Sequence, residues 1–219
     1  ASLREARRME IDGVLTVSSD LPVPTVGRIC DALNLCGVSE EVGEICSNKL
    51  LMKRRLRDKG VPTPAFVEPE GEEDLLHLDE RLNYPLIVKS VDSSGSRGVT
   101  RIDAQSEIME AYAHARTHSR SGRVIIEEFV TGTEFGAQVF VKNGRIVLII
   151  PHNDTLCPPP HYVPVGHSVP FRINGGDLKA VESVIRRAVE ALGITQGAVN
   201  MDMMLTPEGP TVIEVGARF

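Results

Sequence analysis

The segment GAVNMDMMLTPEGPTVIEVGAR, residues 197–218, predicts the antiparallel hairpin around which the rest of the chain is organised. Residues 198–205 and 211–215 form its two strands, and Pro207-Glu208-Gly209 suits a three-residue loop between them. Proline favours the second position of a type I turn, and glycine favours the left-handed position that follows it. The segment therefore predicts a hairpin with a defined register.

The register of this hairpin places two acidic side chains opposite each other. A three-residue loop pairs Thr206 with Pro210, so that Asp202 faces Glu214 and Asn200 lies beside them. The other face carries the apolar side chains predicted to be core, namely Met201, Met203, Leu205, Ile213 and Val215. Opposed carboxylates repel each other, and a hard cation such as Mg²⁺ between them would remove that repulsion. The alternative is a solvated hairpin face with two unrelated acids.

The composition is ordinary for a soluble globular protein and argues against several classes. The 219 residues are 42% hydrophobic and 25% charged, which allows one large domain or two small ones. The net charge is −6 without a basic block, so no nucleic-acid partner is expected. No apolar run could span a membrane and the first residues do not resemble a signal peptide, so we expect a cytoplasmic protein without a membrane partner. The cysteines lack zinc spacing and are predicted to be buried, reduced thiols: Cys30, Cys36, Cys46 and Cys157.

The first part of the chain predicts a strand followed by two helices. Gly13–Ser18 predicts the strand and Thr25–Leu33 the first helix, and together they resemble the end of a larger α/β domain. Asn48–Lys59 predicts a basic helix, which Gly60 ends. Val61-Pro62-Thr63-Pro64 then enforces an extended segment, because residues before proline avoid the helical region.

A glycine- and serine-rich loop, Asp92–Gly98, joins the predicted strands Leu86–Ser90 and Val99–Ile102. Asp103 is predicted to cap a helix over residues 104–117. A Walker A loop carries a lysine after its last glycine and opens a helix, whereas this loop returns into a strand. It is predicted to be a flexible flap whose backbone N–H groups can approach phosphate oxygens. An ordinary hairpin tip is the alternative, since many such tips are rich in glycine and serine.

The second half predicts a further hairpin, a long loop and a helix. Glu134–Val141 and Arg145–Ile150 predict two strands joined at Asn143-Gly144, the strongest short turn signal in the chain. Residues 152–170 are rich in proline and lack periodicity, which predicts a long functional or mobile loop. Residues 177–192 predict an amphipathic helix before the terminal hairpin.

Four stretches, in this order and spacing, resemble the ATP-grasp superfamily and within it the carboxylate–amine ligases. They are SNKLLMKRRLRDKGVPTP, YPLIVKSVDSSGSRGV, IIEEFVTGTEFGAQV and GAVNMDMMLTPEGPTVIEVGAR. The resemblance spans roughly residues 25–219, and HYVPVGHSVP is also similar to a stretch of the amino-acid ligase branch. It implies an α+β fold in which two α+β subdomains grip ATP.

The resemblance also implies a domain organisation. Residues 1–46 would be the C-terminal remnant of a preceding α/β domain, and residues 47–219 the ATP-grasp domain. That domain would consist of a small lid subdomain at about 63–127 and a larger subdomain at about 128–219. The family continues through a glycine-rich segment where this sequence stops, which indicates a fragment or a chain whose ends were removed.

Position by position, the resemblance implies an ATP site and a Mg²⁺ (or Mn²⁺) site. Phosphate would meet two lysines and the flap: Lys49, Lys89, Ser94, Gly95, Ser96 and Gly98. Glu127 and Val130 would line the adenine, Glu128 would contribute its backbone carbonyl, and Glu134 would bind the ribose. Asp202 and Glu214 would be the metal ligands, in agreement with the hairpin register.

Two positions near the end of the chain complete the comparison. Arg218 matches an arginine that lies near substrate and phosphate in the amino-acid ligase branch, so Arg218 and Lys89 are the predicted catalytic residues. Gly216 stands where many family members have asparagine, so an amide ligand to a second metal ion is missing or comes from elsewhere. His161 and His167 could line the acceptor site or could simply be surface residues.

The function implied by the resemblance is an ATP-dependent ligase. It would activate a small-molecule carboxylate as an acyl phosphate and couple it to an amine, in an amide- or peptide-type bond. The alternatives are a non-catalytic ATP-binding module, or an enzyme that resembles biotin carboxylase or carbamoyl-phosphate synthase. A homodimer is compatible with the resemblance. The sequence does not identify the two substrates or the oligomeric state.

Overall fold

The computed structural model describes residues 1–156, 164–173 and 175–218, and this part of the chain forms two antiparallel sheets flanked by α-helices. The α-helices are α1 (Ser2–Met9), α2 (Val23–Leu33), α3 (Glu40–Cys46), α4 (Lys49–Asp58), α5 (Ile108–Thr117) and α6 (Gly175–Ala191). The strands are β1 (Phe66–Val67), β2 (Leu86–Ser90), β3 (Val99–Ile102), β4 (Val124–Glu128), β5 (Thr133–Lys142), β6 (Arg145–Leu156), β7 (Pro164–Ser168), β8 (Gly197–Thr206) and β9 (Gly209–Gly216). Short 3₁₀ helices cover Glu73–Glu80 and Gln105–Glu107. The predicted α+β class is confirmed.

The first sheet has the strand order β1-β4-β2-β3 and lies beneath α5. Its core is a separate apolar cluster that includes Leu86, Val88, Ile102, Ile108 and Ile126. Strand β2 is buried along most of its length, which explains why its sequence, LIVKS, is almost continuously apolar. The lysine within it is therefore an exception that requires a buried partner.

The second sheet has the order β7-β6-β5-β8-β9 and buries one face against the other helices. Side chains of α2, α3, α4 and α6 join the sheet in a single apolar core, which includes Val26, Val42, Met52, Ile185 and Met203. Helices α2 and α3 thus share their core with the large sheet. The proposed domain division at residue 46 stays a prediction.

The hairpin between β5 and β6 forms as predicted. Lys142 pairs with Arg145 across a two-residue turn, in which Asn143 and Gly144 both have positive φ, 53° and 71°. Positive φ at both central residues defines the type I′ turn, which asparagine followed by glycine adopts at little steric cost.

The terminal hairpin forms, but its turn differs from the prediction. Thr206 pairs with Gly209 rather than with Pro210, so the loop has two residues instead of three. The register then shifts between Asp202 and Met203, and Asp202 pairs with Glu214 as predicted. An irregularity at Ile213 compensates for the shorter loop, because a bulge adds one residue to one strand. The predicted facing of the two acids is thus correct although the predicted loop is wrong.

The bulge also changes which side chain of β9 enters the core. Val212 is fully buried in the large core, whereas Ile213 is only half-buried and lies outside it. The prediction that Ile213 belongs to the core was therefore wrong. Period-2 alternation holds only while the ladder is regular.

Three further predictions of local structure were wrong. Residues 13–18 are all described by the structure, and they neither form a strand nor pair with one. Within the predicted loop at residues 152–170, β6 continues to Leu156 and β7 pairs with it, since an edge strand tolerates prolines. Asp103 does not cap α5, which begins at Ile108 after a 3₁₀ turn and without a side-chain cap.

The cysteines agree only in part with the prediction. Cys30 and Cys46 are buried free thiols, and burial raises the pKa of Cys46 to about 12, so that it stays a thiol. Cys36 is exposed, contrary to the prediction, because it follows the end of α2 at the surface. Cys157 and His161 lie outside the described residues.

Among the helices that the structure describes, none is long and apolar enough to cross a bilayer.

Candidate nucleotide and metal site

A pocket of about 330 Å³ opens between the 92–98 loop, the start of α4 and the terminal hairpin. Its walls include polar side chains from all three regions, from the segment before α2 and from the segment after α5: Asp20, Lys49, Ser94, Arg97, Arg120 and Glu214. The pocket therefore brings together the first predicted phosphate lysine, part of the predicted flap and one of the predicted metal acids. These are distant from one another in sequence.

Lys49 links the loop to the hairpin. It is the first residue of α4, where the side-chain oxygen of Asn48 accepts hydrogen bonds from the backbone N–H groups of Leu50 and Leu51 at 3.1 Å each. Its Nζ donates to the carbonyl oxygen of Ser93 at 2.7 Å and lies 3.0 Å from Oε1 of Glu214. Burial lowers the pKa of Lys49, but the Glu214 carboxylate together with the charges of Asp20 and Glu127 outweighs burial, and the net pKa is raised. The buried ammonium therefore stays charged.

Lys89 has the partner that an apolar strand requires, and the partner is Glu127 on the neighbouring strand β4. Nζ of Lys89 lies 2.9 Å from one carboxylate oxygen of Glu127, and Nζ of Lys53 lies 3.1 Å from the other. Lys53 is fully buried and also donates to Oγ1 of Thr63 at 2.8 Å. Burial alone raises the pKa of Glu127, but the two ammonium groups outweigh it and hold that pKa low. One carboxylate thus orients two lysines.

The 92–98 loop depends on residues that tolerate a left-handed backbone. Gly95, Ser96 and Gly98 have φ values of 69°, 56° and 70°. A Cβ on Gly98 would lie 2.6 Å from Cβ of His118, so no other residue fits there without displacing His118. At the base of the loop, the Asp92 carboxylate accepts from the backbone N–H groups at positions 120 and 121, both at 2.9 Å. The loop is therefore anchored at its base, while Gly95 and Ser96 are exposed.

The polar face of the second sheet carries a group of acids. Asp202 is paired with Glu214 on one side and with Gly136 on the other, and Glu134 lies two residues before Gly136 on the same face. Burial raises the pKa of Asp202 to about 6, and the Glu214 and Asp154 carboxylates add to the effect. Burial likewise raises the pKa of Glu134 to about 7, with further contributions from Asp202 and Asp154.

This arrangement fits a divalent cation. The group supplies carboxylate oxygens, the ligands that Mg²⁺ and Mn²⁺ prefer, and nearby carboxylates raise one another's pKa because their charges repel. Glu214 differs from Asp202, because burial raises the pKa of Glu214 but the Lys49 and Lys89 ammonium groups together outweigh burial and hold that pKa low. Asp202 and Glu214 could hold the cation, and the adjoining pocket with Lys49 could hold phosphate.

Gly216 stands where many family members have asparagine, and it leaves room for an ion pair between Asp20 and Arg218. Arg218 lies with Nε 2.9 Å from Oδ1 of Asp20 and donates from its terminal nitrogen to Oδ2 at 3.1 Å. A Cβ on Gly216 would lie 2.8 Å from Oδ1 of Asp20 and 3.3 Å from Cζ of Arg218. A larger residue at position 216 would displace this ion pair. The contact between Asp20 and Arg218 therefore requires glycine at position 216.

The residues predicted to line the adenine are divided between two places. Glu128 and Val130 line a second pocket with Pro62, Thr63 and Thr206, which shares no residue with the first. The side-chain oxygen of Glu128 accepts from Asn83, from its backbone and its side-chain nitrogen, at 2.8 Å each. Glu127, in contrast, is buried with the two lysines and lines neither pocket.

Three residues in or beside the site were missed from the sequence. Lys53 received no role beyond membership of a basic helix, although its spacing from Leu50 and Leu56 puts it on the apolar stripe of α4, which could have revealed it. Asp20 had no signal of its own, because only the tertiary fold brings it to Arg218, 198 positions away. The acids of the sheet face were found in part, and Asp154 was missed.

Comparisons with known proteins agree with this architecture. The family model described as an ATP-grasp domain matches residues 46–219. The chain therefore belongs to the ATP-grasp domain family, which confirms the resemblance on which the site was predicted.

Several relatives are ligases or synthetases. The chain is 29% identical to an L-amino acid ligase structure from Bacillus licheniformis, over 99% of this chain and 51% of that one, with a TM-score of 0.83. It is 30% identical to a phosphoribosylglycinamide synthetase structure from Anaerococcus prevotii, over 98% and 53%, with a TM-score of 0.78. It is 30% identical to the D-alanine–D-alanine ligase of Bordetella avium, over 62% of this chain and 44% of that protein. The chain thus spans about half the length of these relatives.

Proposed function

We propose that this protein is an ATP-dependent ligase that activates a carboxylate as an acyl phosphate and couples it to an amine. The observation that carries the proposal is the pocket in which the Lys49 ammonium joins the 92–98 loop to Glu214. A lysine, a glycine-containing loop and opposed carboxylates meet the needs of phosphoryl transfer, which depends mainly on positioning and charge neutralisation. The ligase relatives support the same reading.

The proposed reaction has two steps. An oxygen of the substrate carboxylate attacks the γ-phosphorus of ATP, ADP leaves, and an acyl phosphate forms. The amine nitrogen then attacks the acyl carbon, inorganic phosphate leaves, and the nitrogen loses a proton. In this proposal Lys49 and Lys89 bind phosphate oxygens and the 92–98 loop covers them. Arg218, held by Asp20, orients the carboxylate or the transferred phosphoryl group through its planar fork of donors.

The cofactors follow from the same site. We propose that Asp202 and Glu214 hold Mg²⁺ or Mn²⁺, which when bound would neutralise charge on the phosphates. Glu134 would bind the ribose, and the segment from Glu127 to Val130 would line the adenine. Because Lys49 already neutralises Glu214, the lysine would have to share that carboxylate with the cation.

The remaining parts of the proposal concern the whole protein. The partners would be a small-molecule carboxylate and a small-molecule amine, and the protein would act in the cytoplasm. The four-stranded sheet would belong to a lid subdomain and the five-stranded sheet to the larger subdomain. We also propose a homodimer, whose existence sedimentation of the purified protein would test.

The experiment that tests the function is ADP release by the full-length protein against a panel of carboxylates and amines. A ligase requires both substrates, and hydroxylamine supplied in place of the amine should trap the acyl phosphate as a hydroxamate. Asp202→Asn is the matched control, because it removes a metal ligand without changing side-chain size. ADP release that depends on bicarbonate alone would instead favour a biotin-carboxylase-like enzyme. ATP binding without any ADP release would favour a non-catalytic module.

A further inference from the structure

A second group of metal-binding side chains lies at the opposite edge of the five-stranded sheet from Glu214. It consists of His152 and Asp154 on β6 and His167 on β7, and one ligand atom from each lies within 4.8 Å of the others. Oδ1 of Asp154 lies 2.8 Å from Nδ1 of His152 and 2.6 Å from Nδ1 of His167. The two imidazole rings are 4.6 Å apart between centroids and nearly perpendicular. We call these three residues the His–Asp–His cluster.

The pairing of the strands creates the cluster. His167 on the edge strand β7 pairs with Asp154 on the neighbouring strand β6, and directly paired residues share a face of the sheet. His152 precedes Asp154 by two residues, so it lies on that face as well. It pairs with Gly136, and a Cβ at position 136 would lie 2.2 Å from Cε1 of the imidazole. The absence of a side chain on Gly136 therefore makes room for the ring of His152.

Burial holds two of the three ligands in place and leaves the third accessible. The side chains of His152 and Asp154 are 5% and 4% exposed, whereas that of His167 is 57% exposed. A buried imidazole and a buried carboxylate lose little further freedom when they bind an ion. The exposed imidazole gives the ion a path from solvent.

We propose that His152, Asp154 and His167 bind a divalent transition-metal ion, with Zn²⁺ as the ion of choice. Imidazole suits zinc and the later transition metals, whereas Mg²⁺ and Ca²⁺ prefer oxygen ligands. In a tetrahedral site, zinc–nitrogen and zinc–oxygen distances of about 2.0–2.2 Å place neighbouring ligand atoms about 3.4 Å apart. The observed separations of 2.8 Å and 2.6 Å are shorter, so the three side chains must move apart when they accept the ion, and the exposed His167 is free to do so.

A further shell of polar groups surrounds the proposed site. Nε2 of His152 lies 3.5 Å from the side-chain amide nitrogen of Gln138, which in turn donates to Asn200 at 2.5 Å. When Nδ1 binds the ion, the imidazole proton resides on Nε2, and an amide nitrogen cannot accept it. The Gln138 carboxamide must therefore turn its oxygen toward the ring to orient it, as supporting groups of metal sites do. Asn200 also donates to Asp202 at 3.2 Å, so polar contacts connect this site with the acid pair.

The proposal does not rest on the proposed ligase function, because it uses none of the residues assigned to ATP or to Mg²⁺. The test is equilibrium dialysis of the purified protein against micromolar Zn²⁺ in the presence of excess Mg²⁺, which occupies oxygen-ligand sites. We expect one Zn²⁺ per chain. Asp154→Asn and His167→Ala should each weaken binding by about tenfold or more, the range already seen when supporting residues of metal sites are changed.

Three control variants separate this site from other candidates. His114→Ala removes a histidine of α5 that contacts His118 just after the helix, Cys36→Ser removes an exposed thiol, and Asp202→Asn removes an acid of the other site. All three should bind Zn²⁺ as the wild type does. Because His167 lies exposed on an edge strand, His167→Ala should fold, and Zn²⁺ should raise the unfolding temperature of the wild type but not of this variant.

Two outcomes would overturn the proposal. One is a wild-type protein that retains no Zn²⁺ in excess Mg²⁺, which would make the cluster an ordinary hydrogen-bonded arrangement. The other is Zn²⁺ binding that survives both His167→Ala and Asp154→Asn, or that is lost in a control variant instead.

Discussion

Glu127 shows how one buried carboxylate can organise a site. It pairs with both Lys53 and Lys89, and Lys53 reaches it from a helix that the sequence presents as basic and solvated. Burying a charge is unfavourable unless the charge is paired and hydrogen-bonded. The three side chains therefore form a unit, in which a change to one leaves charge on the others uncompensated.

The two lysines of this unit should respond differently to replacement. Lys53→Met should lower the free energy of unfolding by about 3 kcal/mol, because it breaks a buried ion pair while Lys89 still compensates Glu127 in part. Lys89→Met should in addition weaken ATP binding about ten- to a hundredfold, as expected for the loss of a charge-assisted contact worth ~1.5–3 kcal/mol. Urea unfolding and calorimetry measure the two effects.

Lys59→Met is the matched control, since Lys59 is exposed at the end of the same helix. It should change neither quantity. Equal stability of Lys53→Met and Lys59→Met would contradict the role of the buried unit, and unchanged ATP affinity in Lys89→Met would remove Lys89 from the nucleotide site.

Asp20 should act through Arg218. Asp20→Asn replaces a carboxylate that holds the guanidinium through both oxygens with a neutral amide that cannot. We expect turnover to fall about ten- to a hundredfold, with ATP affinity by calorimetry nearly unchanged. Asp12→Asn, an exposed change in the same segment, should retain full activity. A loss of ATP affinity equal to the loss of turnover would show that Asp20 acts on the nucleotide instead.

At the scale of one element, the two acids of the terminal hairpin lie in different electrostatic environments. Glu214 lies 3.0 Å from the Lys49 ammonium, whereas Asp202 accepts a hydrogen bond from Asn200, and burial and nearby carboxylates raise its pKa. In the metal-free protein, repulsion between the carboxylates therefore destabilises mainly the ionised form of Asp202. Asp202→Asn should stabilise the metal-free protein, while Glu214→Gln should destabilise it by leaving Lys49 without its carboxylate.

The pH dependence of metal-free stability follows from the raised pKa values. Burial raises the pKa of Asp202 from 3.8 to about 6 and that of Glu134 from 4.5 to about 7. Between the unfolded and folded values the folded state binds more protons, so the free energy of unfolding falls as pH rises. These two groups should thus reduce stability from about pH 4 to about pH 7, whereas Glu127 and Glu214, with lowered pKa values, add stability as pH rises at the acidic end.

Urea unfolding of the metal-free protein from pH 4.5 to 7.5 measures this slope. Asp202→Asn should flatten it and gain about 1–3 kcal/mol at pH 7. The same variant should lose the rise in unfolding temperature that MgATP produces in the wild type, since metal and triphosphate bind together. A variant that keeps both the wild-type slope and the full MgATP effect would place the metal elsewhere.

At the scale of the whole molecule, the large sheet and helices α2 to α4 depend on a common core. Val26 and Val42 lie in the same apolar cluster as Ile185 and Met203. Removal of residues 1–46 would expose the surface that α2 and α3 cover. Hydrophobic burial is the dominant stabilising contribution to folding, so a domain boundary at residue 46 would be costly.

Deletion of residues 1–46 should therefore abolish cooperative unfolding, measured by circular dichroism on heating. Deletion of residues 1–9 is the control, because Ala6 is the single buried residue of α1 and little core is lost. The shorter deletion should keep a cooperative transition. If residues 47–219 alone unfold as cooperatively as the intact chain, the boundary predicted from the sequence is correct and the shared core is dispensable.

The sequence predicted those features that depend on local chemistry. Asn143-Gly144 specified its turn because few residue pairs adopt positive φ twice, and the four ordered motifs specified the ATP-grasp family. Asp202 and Glu214 were correctly predicted to pair across the hairpin, although the predicted three-residue loop was wrong and a bulge restored the register. A bulge has no reliable signal in a single sequence, because its energy depends on the neighbouring strand.

What the sequence alone determined is the class of fold, most of its helices and strands, and the residue types that a nucleotide and metal site would need. Only the tertiary structure decided which charges meet: Lys53 with Glu127, Asp20 with Arg218, and Asp154 with two histidines. Apart from the contact between His152 and Asp154, which lie on the same strand, each of these contacts joins residues of different strands, helices or segments. Their formation depends on strand register and on a shared core, and the energy of a charge is set by burial and by neighbours that periodicity does not specify.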